Sequence, residues 1–514
     1  MKAVANLLLR AEGKGDQKIL ETFVDSGIIA QLDNRNNQIT FGRRGTGKTH
    51  VLRFLSGQLD AIPTNIVAFI DARTIGSTLQ FSDPNIKLPK RCISLFRDII
   101  NTIYNTLLEA IVSGEYERSD EALTILYELD AHVNSPIPSF TEAVVEGRDK
   151  ETNSNGFSAG VSYNLPFQAT FDLRGRTNDT IETERKQAYR VDLEDKIIFP
   201  AISSSLHRLL SMLDLHLYIL LDEWASIPPD IQPYLAEFIK RCILPVYEIT
   251  IKIATLEYRS IFNINKDGVI TGFELGSDLS ANLDIDDYYV FDRNPDQITA
   301  IMADILFKHI KAEITDNYLE EHCEIISGDQ LIAKLFTRRL AFRELARASE
   351  GVVRDFINIF IHSFFEAQRH GRDNIDQASI IEAARYWFET DKKHNLDDEM
   401  HKVLTKLIED VIGARNARSF LVSRELEKHK LIQKLSDARI LHLIRRGYSD
   451  KDNPGFRYNI YTLDYGTYVD LRNTSRQPEI DMPEESSDPP EDRIVPFDDK
   501  RSIRRIILTR DVLD

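Results

Sequence analysis

The chain has 514 residues, with 64 Lys+Arg against 81 Asp+Glu, a formal net charge of −17 and 42% hydrophobic residues. That length allows two to four domains of ordinary globular composition. Three features exclude other classes: no apolar run approaches the roughly 18 residues a membrane span needs, residues 1–10 have too short an apolar core for a secretory signal, and Cys92, Cys242 and Cys323 are isolated. The expectation is a cytoplasmic protein with reduced thiols, no zinc site and no membrane partner.

An entry helix is predicted around residues 17–25. Asn37-Gln38-Ile39-Thr40-Phe41 then reads as a short strand, and His50-Val51-Leu52-Arg53-Phe54-Leu55 as the start of a helix. Between them lies Gly42-Arg43-Arg44-Gly45-Thr46-Gly47-Lys48-Thr49, which fits G-x-x-x-x-G-K-[ST] in the strand–loop–helix context that motif requires. Its glycines let backbone N–H groups turn onto phosphate oxygens, and the helix N-terminus adds its positive dipole end. All eight residues are nucleotide-binding candidates. Lys48 is expected to reach the β- and γ-phosphates and Thr49 to ligate Mg²⁺, which makes ATP and Mg²⁺ the expected cofactors.

Ile66-Val67-Ala68-Phe69-Ile70-Asp71 reads as a second buried strand. A helix with Ile93, Phe96, Ile99, Ile100, Ile103 and Leu107 on one side follows. Thr49 and the next acidic strand end, Asp222, are far further apart than a crossover unit of about 30 residues needs, so something is inserted. Residues 156–165 and 167–173 alternate at period two around Pro166 and predict a β-hairpin with polar flanks. It is either a DNA or partner contact or a surface embellishment.

Leu217-Tyr218-Ile219-Leu220-Leu221-Asp222-Glu223 is an apolar strand ending in two acids. Asp222 is the expected Mg²⁺-side carboxylate and Glu223 the catalytic base. Ile249-Thr250-Ile251-Lys252-Ile253-Ala254-Thr255 is the next strand, with Thr255 placed to bond the γ-phosphate or the attacking water. Arg259 is either an arginine acting in trans on a neighbour's nucleotide or a surface salt-bridge residue. Arg354 opens a helix with the core face Phe356, Ile357, Phe360, Ile361 and Phe364, and is a candidate to reach back to the γ-phosphate from a lid.

From residue 295 to 387 the pattern is almost wholly helical. Val403, Leu404, Leu407, Ile408 and Val411 share the next helical face, Ser423 is placed to cap a helix over 424–429, and a third helix is predicted over 435–446. Strands are predicted over 458–463 and 467–471, after the turn Asn453-Pro454-Gly455. Three helices followed by strands read as a winged helix. Residues 401–473 hold fourteen Lys/Arg against nine Asp/Glu, so local charge favours phosphate contact despite the global balance. Lys430, Lys434, Arg439, Arg445, Arg446 and Arg457 are the candidate DNA contacts, with pairing to Asp437, Glu425 or Glu427 the alternative for some. Residues 479–499 hold nine acids against Arg493 and read as a disordered tail. The basic–apolar peptide 501–508 reads as a docking strand or helix.

These elements in this order resemble an AAA+ ATPase of the origin-recognition-complex (ORC) type, and the local text is close to a bacterial branch of that family. The resemblance rests on residues 37–49, Asp222-Glu223-Trp224, Gln232-Pro233-Tyr234-Leu235-Ala236, Lys252-Ile253-Ala254-Thr255-Leu256-Glu257-Tyr258-Arg259 and Gly351-Val352-Val353-Arg354-Asp355. It implies an α/β fold: a P-loop AAA+ parallel-sheet core with an α-helical lid and a C-terminal winged-helix domain. The expected boundaries are 1–294 for the core with an insertion at 115–186, 295–395 for the lid, 396–475 for the winged helix and 476–514 for the tail. By resemblance Asp222 and Glu223 are the Walker B pair, Thr255 the first sensor and Arg354 the second. The implied function is ATP-controlled assembly on double-stranded DNA, as a homo-oligomer or hetero-complex, with a partner effector or replication protein. The alternative is an ATPase sensor in an antiphage-defence or mobile-element system whose effector is a separate protein.

Overall fold

The structure, a computed structural model, describes residues 2–7, 16–76, 83, 85–114, 116–134, 137–143, 188–194, 197–314, 318–449, 455–469 and 506–513. The chain divides into two compact units, Met1–Val133 with Ile198–Asp514, and Asn134–Ile197.

In the larger unit, continuous apolar runs form buried parallel strands, as such runs do when helices cover both faces of a sheet. The strands are β1 (Gln38–Phe41), β2 (Asn65–Asp71), β5 (His216–Asp222), β6 (Ile249–Thr255) and β9 (Ser280–Asp284), in the order β2-β5-β6-β1-β9, all parallel. Every residue of β5 and β6 is buried. Phe41 pairs with both Thr255 and Asp284, and Asp71 pairs with Asp222, so the carboxyl ends of all five strands open on the same side. Ligands of open α/β sheets bind at that edge. The helix Lys48–Asp60 buries Val51, Leu52, Leu55 and Leu59, and the helix Leu88–Ser113 presents Phe96, Ile99, Ile100, Ile103 and Leu107 to the interior. Lys252 is the cost of polarity in β6. Burial lowers its amine to about 7, and the amine donates to Asn34 Oδ1 at 3.1 Å and to the Asn36 carbonyl at 2.8 Å.

Helices Pro295–Lys311, Gly328–Leu335, Arg339–Ala348, Val353–Arg369 and Gln377–Trp387 follow. Asn294, Ser327 and Asp376 cap three of them through side-chain oxygens, as N-cap preference requires. Phe336, Phe342, Phe356 and Phe360 form their aromatic centre.

The last elements run helix Asp398–Leu407, β10 (Ser419–Ser423), helix Arg424–Glu427, helix Lys430–Asp437, β11 (Leu441–Ser449) and β12 (Arg457–Leu463). The strands form an antiparallel sheet in the order β10-β12-β11, the winged-helix arrangement. Two sequence expectations are corrected here. The helix expected over 435–446 ends at Asp437, because Arg439 takes a left-handed φ of 61° and the Ile440 N–H returns to the Leu435 carbonyl at 2.9 Å. The following apolar residues are β11. The strand expected over 467–471 is, within the described residues, a 3₁₀ turn at Tyr465–Thr467, with Asp464 accepting from the Gly466 N–H at 3.0 Å. The strand β10 has no counterpart in the sequence reading. Its edge is filled in cis by the peptide expected to dock: the Leu421 N–H donates to the Ile506 carbonyl at 2.7 Å and the Leu508 N–H to the Leu421 carbonyl at 2.8 Å.

In the smaller unit, β3 (Ile137–Ala143) and β4 (Ala188–Glu194) pair antiparallel. The hairpin expected over 156–173, its flanks and the acidic stretch 479–499 lie outside the described residues. A further antiparallel pair in the larger unit, β7 (Asn263–Lys266) with β8 (Val269–Gly272), follows β6.

Candidate nucleotide site

β1 ends at Phe41 and the chain turns through the glycine loop into the helix that begins at Lys48. Gly47 sits before that helix at φ 100° with no side-chain cap, so the first-turn N–H groups lack an intrahelical partner. A Cβ placed on Gly47 would meet no protein atom within 4 Å, so there is open space beside the loop. Lys48 is buried, and its Nζ donates to the carbonyls of Gly42 at 2.8 Å and Arg43 at 3.0 Å. Burial lowers the lysine below its usual value, opposed by Glu223, Asp286 and Asp222.

β5 delivers Asp222 beneath the loop. The Thr49 hydroxyl donates to Asp222 Oδ2 at 2.6 Å, and the Glu223 N–H donates to Oδ1 at 2.8 Å. Burial raises Asp222 to about 6, against the opposing Thr49 hydrogen bond. A hydroxyl and a desolvated carboxylate in contact form a hard-oxygen donor set, which fits Mg²⁺. Glu223 adopts a left-handed φ of 56°, a turn that separates it from the strand direction of Asp222. At the end of β6, the buried Thr255 hydroxyl is 2.5 Å from the Ser260 hydroxyl.

The lid reaches the loop through its backbone. The Arg354 N–H donates to the Gly45 carbonyl at 3.0 Å. Gly45 has φ 88°, and a Cβ there would lie 2.7 Å from the Arg354 Cβ. Gly351 makes the approach possible: at φ 78°, any Cβ would lie 2.2 Å from the Tyr289 carbonyl. Gly42 is also closely bounded, with Thr46 Oγ1 at 2.9 Å from a Cβ position.

Arg43 turns away from the loop's open space. Its Nε donates to Asp286 Oδ2 at 2.8 Å, its NH2 to the Glu350 carbonyl at 3.1 Å, and its NH1 bonds His442 Nδ1 on β11. Arg43 thus joins the loop to the turn after β9, to the lid and to the winged-helix sheet. Arg44 is exposed over much of its side chain, and partial desolvation followed by the charge of Arg259 lowers its guanidinium.

Arg259 pairs with Asp437, the last residue of the helix Lys430–Asp437. The salt-bridge alternative therefore describes its placement in this chain. Of the DNA candidates, Lys430 and Arg457 are exposed and Arg445 is half-buried. Lys434 bonds Asp397 at 2.7 Å. Arg446 binds Glu257 at 3.1 and 2.7 Å and Asp284 at 3.0 Å. Arg439 is corrected from a DNA contact to an interior ion-pair residue: it is 8% exposed and held by Asp355 and Asp391. Its position follows from the left-handed turn that ends the helix.

Sequence reasoning missed Asp286, His442, Asp464, Lys392 and Tyr258. His442 bonds Asp464 at 2.9 Å, and Asp464 also pairs with Lys392, which reaches Asp355 at 3.0 Å. Asp286, two residues past a β-strand that ends in an acid, carried the only local signal. The others gain their roles from partners distant in sequence, from 22 residues for His442 with Asp464 and 72 for Lys392 with Asp464 to 203 for Tyr258 with Tyr461.

Residues 8–62, the segment that holds the P-loop, match the ORC-CDC6-like family model, which supports the resemblance to ORC-like AAA+ ATPases. No curated protein matches the chain. Similar solved structures include Cdc6p from Pyrobaculum aerophilum, 14% identical over 91% of this chain and 94% of that one, with a TM-score of 0.31. The Aeropyrum pernix ORC2 protein in ADPNP–ADP complexes is 10% identical over 90% and 93%, with a TM-score of 0.33. Drosophila ORC bound to DNA is 10% identical over 90% and 93%, with a TM-score of 0.29. At these scores the overlays carry no argument about mechanism. Among the described residues, no helix is long and apolar enough to cross a membrane.

Proposed function

We propose that this ORC-like chain is an Mg²⁺-dependent ATPase that switches with nucleotide state, assembles on double-stranded DNA and controls a partner protein. The observation that carries the reading is the joint assembly of one site from core and lid: Thr49 against Asp222 at 2.6 Å, with the lid's Arg354 N–H on the Gly45 carbonyl at 3.0 Å. Lys48 exchanges its two loop carbonyls for the phosphates of ATP. Thr49 and Asp222 would hold Mg²⁺, which would supply charge neutralisation for the phosphates. Glu223 orients the attacking water and takes its proton. Thr255 positions that water or the γ-phosphate, and Arg354 reports the γ-phosphate to the lid. The exposed Lys430 and Arg457 supply phosphate contacts on the winged helix.

The test is ATP hydrolysis by purified protein with and without duplex DNA at two salt concentrations, with Glu223→Gln as control. Stimulation that fades at high salt supports direct activation through phosphate contacts. ATP binding without stimulation rejects DNA as the trigger and leaves a partner protein in that role, which is where the sensor-type alternative differs.

A further inference from the structure

Two positions beyond Thr255, the 3₁₀ turn Glu257–Arg259 meets the winged helix with each of its residues. Glu257 takes two hydrogen bonds from Arg446, at 3.1 and 2.7 Å. The Tyr258 hydroxyl lies 2.8 Å from that of Tyr461 on β12 and 3.3 Å from Glu427. Arg259 pairs with Asp437. Asp284, at the end of β9, adds a second carboxylate to Arg446 at 3.0 Å.

The chemistry of the Arg446 contacts is specific. A guanidinium fork held by two oxygens of one carboxylate and one of another has the same donor geometry that it offers to a phosphodiester. Arg446 remains 37% exposed while Asp284 is 14% exposed, so the guanidinium is partly desolvated yet keeps a solvent-facing side. That solvent-facing side lets the arginine exchange one anion for another, since solvent screening limits what a partly exposed ion pair contributes.

We propose that Glu257 and Asp284 stand in for nucleic-acid phosphates on Arg446, so that docking of the winged helix on the ATPase core and its full grip on a DNA backbone are mutually exclusive. The proposal rests on the DNA-binding reading above. The turn Glu257–Arg259 is then a latch. Tyr258 holds it through its hydroxyl contacts to Tyr461 and Glu427, and the carboxylates mask the arginine that a polyanion would use. Because the latch follows Thr255 directly in the chain, a shift of that strand end transmits to all three contacts. Release frees Arg259 from Asp437 in the same step.

The test is anisotropy of a short fluorescent duplex titrated with the full chain at about 0.15 M salt. Glu257→Gln with Asp284→Asn is expected to tighten binding about threefold to tenfold and to steepen the salt dependence by about one phosphate contact. Arg446→Ala in that background is expected to abolish the gain. Tyr258→Phe, which changes no charge, is expected to tighten binding in the same direction by less. A gain that survives Arg446→Ala overturns the proposal, because it then reflects only the altered net charge. Unchanged or weaker binding in both the double variant and Tyr258→Phe, with wild-type protein binding DNA, overturns the latch and leaves the DNA reading standing. Failure of every form to bind duplex at low salt overturns the DNA reading, and the proposal with it.

Discussion

The carbonyl of Gly45 and the N–H of Arg354, more than three hundred residues apart in sequence, form a 3.0 Å hydrogen bond that ties the phosphate loop to the first turn of a lid helix. Gly45→Ala attacks this joint twice, through a φ of 88° and through the 2.7 Å approach of the new Cβ to Arg354. The expected destabilisation is about 1–3 kcal/mol, with ATP affinity weakened at least as much as global stability. Thermal unfolding and titration with a fluorescent ATP analogue read the two effects. Wild-type values in both would mean that the joint has no role.

Lys48→Ala and Glu223→Gln separate binding from chemistry. Lys48 is the buried amine facing the loop carbonyls, so its loss is expected to weaken ATP binding by more than about tenfold. Glu223→Gln is expected to retain ATP while slowing turnover by roughly 10²–10⁴-fold, the usual contribution of a general base. Single-turnover hydrolysis with parallel binding measurements distinguishes them, and wild-type turnover by Glu223→Gln would remove that residue from the mechanism.

His442 gives the contact between loop and winged helix a pH dependence. Its Nδ1 faces Arg43 and its Nε2 faces Asp464, so the neutral tautomer with hydrogen on Nε2 satisfies both partners. Burial, followed by the charge of Arg43, lowers the imidazole from 6.5 to about 4. A depressed base contributes stability in full above its unfolded value and loses it as pH falls through the window from 6.5 to about 4. The loss is on the order of 3 kcal/mol at most. Asp464, lowered to about 2 despite burial by Lys392 and His442, loses its own share only from 3.8 downward. Glu350, raised to about 7, acts with the opposite sign, so the decisive quantity is the difference between wild type and His442→Gln. Denaturant unfolding from pH 7 to pH 4.5 is expected to show a shallower decline in the variant, and parallel curves would refute the assignment.

The Leu421 amide reports on the strand added to β10. Its only described backbone acceptor is Ile506, and Leu508 completes the bridge. Deleting residues 506–513 is expected to raise hydrogen exchange at Leu421 by about fivefold or more, since one backbone hydrogen bond contributes about 1 kcal/mol. Unchanged protection at Leu421 would show that the peptide does not seal the edge.

Much of this arrangement was legible in the sequence because its signals are local. The P-loop, the apolar run ending at Asp222 and the alternating run ending at Thr255 each carry their own strand signature. The winged-helix segment did not, because Leu435, Ile440, Leu441, Leu443 and Ile444 suit either a helix face or a buried strand. A single left-handed residue, Arg439, decides between them, and no residue type announces that conformation in an arginine. The short run of β10 is ambiguous for the same reason. The fates of Arg439, Arg446 and Arg259 depend on carboxylates brought close only by folding, so charge counting alone marked the first two for DNA and left Arg259 open between a trans-acting role and a salt bridge.

The paired stem of β3 and β4 has a consequence for how the chain accommodates its long excursion. Ile137 lies opposite Glu194 and Ala143 opposite Ala188, so the polypeptide departs and returns side by side. A two-residue Asn-Gly turn joining Ala143 to Ala188 would close the same ladder. The two ends of the excursion are thus held in hairpin register, and a chain shortened between those two alanines is expected to keep the β3–β4 ladder.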